Sequence, residues 1–387
     1  MGRLIDQYIR NAEERERAEK VEALAAIFAD RASVHDREGS FPHQNFADMH
    51  EAGYLKLTVP KEFGGEEISL YELVSMQERL AYGDGSTALA VGWHLGQVLH
   101  LRTTRKWPGR LFDELCRAIV ADGAMINTFA SESGSGSPSR GGKPETTAIR
   151  TDGGWLITGR KTFSTLSPIL DRFVVSAYIP EEDSTADFLI YNNDRVSIIE
   201  TWDTIGMRAT GSHDVVLDRA FAAEGSRLSG KGIDDGGGWL LHIPACYLGI
   251  AMAARDFAIS FAQMYRPNHL QGPIAELATV QQSIGQMEAE LRTARCLVYA
   301  AADRWDQEKV SRPSLKSELG LAKYMATNNS IKVVDMAMRI VGGSSLSKKM
   351  PLERFYRDVR AGLHNPPMDN MVLHTLAADA LNERNAD

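Results

Sequence analysis

Apolar positions recur along this chain with two different periods. Between Gln7 and about Ala124 the spacing is helical: Val21, Leu24, Ala25 and Phe28 fall on one face within runs rich in Ala, Leu, Glu and Arg. Two interruptions, Pro60-Lys61-Glu62-Phe63-Gly64-Gly65 and Tyr82-Gly83-Asp84-Gly85-Ser86, have turn chemistry and predict connections between helices. From about Met125 to Arg227 the texture changes to short β-branched and aromatic stretches separated by Gly, Asp and Asn. Strands are predicted over 155–158, 172–178 and 187–191. The Ser/Gly-rich run Ser131–Gly142 lies inside this region and reads as a loop that carries a carboxylate, Glu132. From about Trp239 onward the helical period returns, over Ala251–Tyr265, Ile274–Ala302 and Leu315–Val341. Gly342-Gly343 is placed to cap the last of these.

The order helical, β, helical, without βαβ repetition or a GxGxxG motif, excludes a doubly wound nucleotide fold and predicts an α+β protein. Three domains are expected: helical over 1–124, β over 125–230 and helical over 231–387. Lys plus Arg number 43 against 51 for Asp plus Glu, a net charge of −8, and no segment clusters Lys and Arg. That balance argues against a nucleic-acid binder and against attraction to anionic membranes. No apolar run approaches the ~18–20 residues that span a bilayer. Cys116, Cys246 and Cys296 lie far apart without metal-ligand spacing. They read as buried thiols of a reducing compartment. The expectation is a cytoplasmic enzyme without a metal.

Four segments then line up in order. Val59-Pro60-Lys61-Glu62-Phe63-Gly64-Gly65, Ala130-Ser131-Glu132-Ser133-Gly134-Ser135-Gly136-Ser137, Gly159-Arg160-Lys161-Thr162-Phe163-Ser164-Thr165 and Thr204-Ile205-Gly206-Met207-Arg208-Ala209-Thr210-Gly211-Ser212 resemble motifs of the acyl-CoA dehydrogenase superfamily. Arg266, Gly342-Gly343 and Arg357-Asp358 extend the resemblance over nearly the whole chain. It implies an N-terminal helical domain, a middle β-barrel-like domain and a C-terminal four-helix bundle, assembled as a homotetramer. It also implies a flavin, with FAD expected and FMN the alternative. Ser131 matches the residue at the pyrimidine edge, Phe163 the aromatic wall of the ring and Thr165 the hydroxyl near its N5. Arg266, Arg339, Gly342 and Gly343 match the diphosphate side, and Ser137 a serine at the thioester entrance, where Pro138 replaces the usual aspartate.

The chemistry implied by the family is α,β-dehydrogenation of an acyl-CoA thioester, and it needs a carboxylate base. Counting without a gap from Arg357-Asp358 puts that glutamate at Pro366. The alternative position known in the family falls on Trp239-Leu240-Leu241-His242, also without a carboxylate; Asp369 is the nearest acid in sequence. Leu363-His364-Asn365-Pro366 instead resembles the two-component flavin-dependent monooxygenase branch. There His364, Ser164 and His94 become the candidate catalytic residues, since histidine titrates near working pH. Two reactions are therefore expected to compete. The first is dehydrogenation, with an electron-transfer flavoprotein as partner. The second is oxygenation of a small aromatic, sulfur or nitrogen compound, with a flavin reductase as partner.

Overall fold

In a computed structural model that describes residues 3–135, 142–228 and 232–383, the two periods become two helical domains and a sheet. The N-terminal domain holds α1 (Ala12–Glu38), α2 (His43–Glu51), α3 (Leu70–Gly83), α4 (Gly85–Thr104) and α5 (Gly109–Asp122). Its turns work as their composition predicts. Ser69 and Glu72 form a reciprocal cap on α3, and the Asp84 carboxylate accepts from the Ser86 and Thr87 amides at 3.2 and 3.3 Å to start α4. A Cβ at Gly83 would stand 2.0 Å from the Ala25 carbonyl oxygen, so only glycine lets α3 end against α1.

The middle domain is one curled sheet of β1 (Ile126–Phe129), β2 (Thr147–Thr151), β3 (Gly154–Lys161), β4 (Arg172–Ile179), β5 (Ser184–Tyr191), β6 (Val196–Ile199), β7 (Asp214–Ala223) and β8 (Arg227–Leu228). The order among the described residues is β6-β7-β3-β2-β4-β5-β8, with β1 parallel to β4. Trp155 of β3 packs on Phe188 of β5 at 5.5 Å, which closes the concave face as a small barrel would. β3 runs past the expected Thr158 to Lys161 because that lysine is buried against a carboxylate, a pairing that hydrophobic alternation cannot register.

The C-terminal bundle contains α6 (His242–Met264), α7 (Ala278–Gln307), α8 (Lys316–Val341) and α10 (Asp369–Glu383), with the short α9 (Leu352–Arg360) between the last two. α6 starts at His242 rather than Ala251. Its first residues are apolar on every side and buried, so they show no period, and Pro244 sits in the first turn where no donor is needed. Residues 238–264 are apolar enough to meet the composition of a membrane span, contrary to expectation, but 67% of the 18-residue window that meets it is buried inside the protein. It is the core helix of the bundle. Cys116 and Cys246 are buried as expected, whereas Cys296 is exposed.

One knot ties the three domains together. Arg357 of α9 donates to both oxygens of Asp36 on α1, at 2.8 and 2.6 Å, and to the Ile205 carbonyl at 2.8 Å. Its neighbour Asp358 is buried and accepts from the Met207 amide at 2.6 Å. Arg208 returns the tie by donating to the Asp36 carbonyl at 2.7 Å. Arg357→Ala leaves Asp36 and Glu353, each held by two of its N–H groups, without that partner and should cost about 2–3 kcal/mol. Urea unfolding followed by tryptophan fluorescence measures this; a change below about 0.5 kcal/mol would mean that the knot contributes nothing.

Candidate active site

The loop after β3 is where the backbone is most constrained. Phe163 and Leu166 hold φ of +54° and +71°, and Met207 on the facing loop holds +52°. Bulky residues adopt such angles only where surrounding contacts enforce them, and such strain concentrates at working sites. Phe163 is 68% exposed and stands edge-on to Trp202 at 5.7 Å, so a large aromatic face is presented rather than packed away. The Trp202 indole is fixed in turn by donating to the Met207 carbonyl at 2.9 Å.

Around this ring the expected residues converge. The Ser131 carbonyl accepts from the Thr162 amide at 2.9 Å, which binds the two loops side by side. The Thr165 hydroxyl is 2.8 Å from that of Ser212, itself 2.7 Å from Thr210, whose hydroxyl donates to the Met207 carbonyl at 3.1 Å. Ser164 is buried and its hydroxyl has no partner among the described residues. Asn127, which sequence reasoning missed, donates to the Thr165 carbonyl at 3.0 Å. A flat exposed aromatic, a set of hydroxyls beside it and one orphaned buried hydroxyl fit a planar heteroaromatic cofactor with polar edges.

Glu132 is held as a structural clamp. Its carboxylate accepts from the Ser135 hydroxyl at 2.7 Å, the Glu145 amide at 2.5 Å, the Thr146 amide at 3.1 Å and the Lys161 ammonium at 2.5 Å. Lys161 also donates to the Ser176 carbonyl at 2.7 Å. Burial works against this carboxylate's charge, but the ammonium and amide donors outweigh it and bring its pKa down to about 2. The clamp places Ser131 one residue away, at the edge of the site.

Other expected residues fall elsewhere. His94 is fully buried, its Nε2 donating to the Leu55 carbonyl at 3.1 Å and its Nδ1 accepting from the Ile126 amide at 3.2 Å. Both nitrogens are used, and burial lowers its pKa to about 4, so it fastens α4 to β1 instead of meeting substrate. His364 is exposed at the end of the turn after α9; its neighbour Asn365 accepts from the Tyr247 hydroxyl of α6. Asp369 is engaged by Lys323 at 3.3 Å and Asn328 at 2.9 Å, and Asp358 by Met207. Ser137 and Pro138 lie outside the described residues.

Arg266, Arg339, Gly342 and Gly343 gather at one end of the bundle. Arg255 of α6 pairs with Glu288 of α7 and Lys332 of α8 with Glu290, while Trp305 at the far end of α7 meets the Asp235 carbonyl just before α6 and Arg312 just before α8, so α6 and α8 both run against α7 and finish together. All four are exposed, and Gly342 has φ of +70°. Tyr247 and Arg266 are separated by most of α6, roughly 28 Å at about 1.5 Å per residue. Within one chain this end is therefore not joined to the turn that carries His364.

Comparison with known proteins accords with this architecture. Descriptions of the acyl-CoA dehydrogenase N-terminal, middle and C-terminal domains match residues 11–104, 127–220 and 241–365. The chain belongs to the acyl-CoA dehydrogenase family. It is 48% identical to the putative acyl-CoA dehydrogenase YdbM of Bacillus subtilis (strain 168), over 96% of this chain and 98% of that one. Amino sugar nitrososynthase RubN8 of Streptomyces rubradiris is 30% identical, over 87% of this chain and 82% of its own. Among solved structures, TdsC of Paenibacillus sp. A11-2 with FMN and indole superposes with a TM-score of 0.86 at 22% identity, covering 95% of this chain and 98% of that one.

The clamp generates a test. Glu132→Gln removes the counter-charge of a buried lysine and should cost about 3–5 kcal/mol. The folded-state pKa near 2 lies below the usual 4.5, so the stabilisation is complete above pH 4.5 and is lost as pH falls toward 2. At about 1.4 kcal/mol per pH unit this amounts to about 3 kcal/mol. Denaturant unfolding of wild type and variant between pH 3 and 7 reads both effects; parallel pH profiles would contradict the assignment.

Proposed function

We propose that this flavin-dependent oxidoreductase of the acyl-CoA dehydrogenase family oxygenates a small aromatic, sulfur or nitrogen compound, using reduced flavin delivered by a separate reductase. The observation that carries the reading is that, among the described residues, the acids nearest Pro366 in sequence are already engaged. Pro366 stands at the family's base position, and the two nearest acids, Asp358 and Asp369, are committed to Met207 and to Lys323 and Asn328. A 30% identical relative bears the name nitrososynthase, which agrees with oxidation at nitrogen.

In this reading Phe163 walls one face of the flavin ring, and Ser131 and Thr165 bond its polar edge. The flavin, when bound and reduced, supplies two electrons to dioxygen, so that one oxygen atom enters substrate and the other leaves as water. The buried Ser164 hydroxyl orients the reacting edge, and His364 moves a proton at the substrate heteroatom. Arg266, Arg339, Gly342 and Gly343 hold phosphate at the far end of the bundle. A second copy of the chain would have to bring that end to a ring site, so a homotetramer is proposed with it, and FAD would use this end more fully than FMN.

Dehydrogenation of an acyl thioester is the second reading, favoured by the name of the 48% identical relative. Anaerobic mixing of purified protein with a series of acyl-CoAs separates the two: bleaching of the oxidised flavin by any of them would overturn the oxygenase. His364→Ala should lower incorporation of ¹⁸O from labelled dioxygen by about 100-fold or more, with flavin content unchanged. Unaltered incorporation would remove His364 from the reaction.

A further inference from the structure

His242 has no role in the chemistry above, yet its setting is that of a ligand-binding group. Its ring is wholly buried, and neither nitrogen has a hydrogen-bond partner among the described residues. Buried polar atoms are nearly always paired, so two orphans on one ring call for an explanation. A third lies beside it. Gln77 of α3 donates its amide nitrogen to the Ala88 carbonyl, while its Oε1 is buried and unpartnered. A Cβ on Gly92 would stand 2.5 Å from His242 Nδ1 and 2.5 Å from Gln77 Nε2, so both side chains share the space above one glycine.

Aromatic walls flank this polar spot. Trp93 meets the imidazole edge-on at 5.0 Å, and Trp239 lies nearly parallel to it at 6.1 Å, 21° between planes. Both indoles are half-buried, so the group reaches outward while its polar atoms stay inside. Gly96 admits the arrangement: a Cβ there would be 2.9 Å from Trp239 and 3.0 Å from His242. The same turn of α4 carries His94, which holds Ile126, next to the Asn127 that bonds Thr165. The spot is thus registered on the active-site loop.

We propose that Gln77, Trp93, Trp239 and His242 form a recognition subsite for an uncharged planar compound whose edge carries both a hydrogen-bond donor and an acceptor. Burial keeps the imidazole neutral by lowering its pKa to about 3, so it offers one N–H and one acceptor and gives an anion no counter-charge. The Gln77 oxygen adds a second acceptor. Indole faces on the flanks favour a flat ring over an aliphatic chain. The inference rests on the oxygenase reading, because it names the class of compound offered to that site, but the subsite can be read by binding alone.

The test is isothermal titration calorimetry of the purified full-length protein with three bicyclic probes. Oxindole has an N–H and a carbonyl on one edge, indane has neither, and indole-2-carboxylate is charged. Oxindole should bind at least about tenfold more tightly than the other two. His242→Phe, which keeps a flat ring and removes both nitrogens, should abolish that preference and leave indane affinity within about twofold. Gln77→Leu should reduce the preference by about threefold or more and carries the same test if His242→Phe does not fold. Equal affinity of oxindole and indane for wild type, or an unchanged preference in the folded variants, would overturn the subsite. Turnover is not involved, so loss of the oxindole preference and failure of ¹⁸O incorporation are separate results.

Discussion

The contact on which the arrangement depends is the pair Arg357-Asp358. Arg357 reaches Asp36 of the first helix and the Ile205 carbonyl of the middle domain, while Asp358 takes the Met207 amide. A guanidinium can serve several oxygens at once in a fixed plane, which a lysine could not do. Asp358 is fully enclosed, and burial raises its pKa to about 7 despite the amide it accepts. The knot tolerates that cost because it sets the distance between α9 and the Met207 loop. From Met207 the hydroxyls of Thr210, Ser212 and Thr165 carry the registration to the exposed face of Phe163.

The site is thus built from strained loops held by stiff neighbours. Phe163, Leu166 and Met207 occupy backbone angles that their side chains disfavour; Leu166 is held by the Thr210 carbonyl and Met207 by Asp358, while Phe163 is held through its neighbours Thr162 and Ser164, which bond the Ser131 and His213 carbonyls. The Glu132–Lys161 pair performs the same service on the other side, where a buried charge pair fixes one geometry because any other leaves a charge uncompensated. Rigid placement suits a planar cofactor whose reactivity depends on a few polar contacts at its edge.

Much of the fold was legible because periodicity reports half-buried elements faithfully. The helices before Ala124 and the strands at 155–158, 172–178 and 187–191 appear where the pattern placed them, although β3 and β5 extend further. The start of α6 was not legible, since a segment buried on all sides shows no face. Of the candidate site, Ser131, Phe163 and Thr165 were proposed from motifs that resemble those of a known family, and the fold brings their loops together. His94 illustrates the opposite case. Its residue type suggested chemistry, but whether an imidazole has a nitrogen to spare depends on what folds around it, and Leu55 and Ile126 take both. Asn127, in an ordinary strand, and His242, in an unpatterned apolar run, carried no local signal at all.

Sequence alone determined the family and the helical, β, helical order, because these depend on residue type and spacing. Tertiary structure decided which polar groups are free. Glu132, Asp358 and Asp369 could each have been a base on paper, and each is consumed by donors that come from distant segments. Among the described residues, His242 and Ser164 are left without partners by the same packing. Hydrogen-bond satisfaction is a property of the folded surroundings, so which groups the packing leaves unpaired could only be read once the chain was folded.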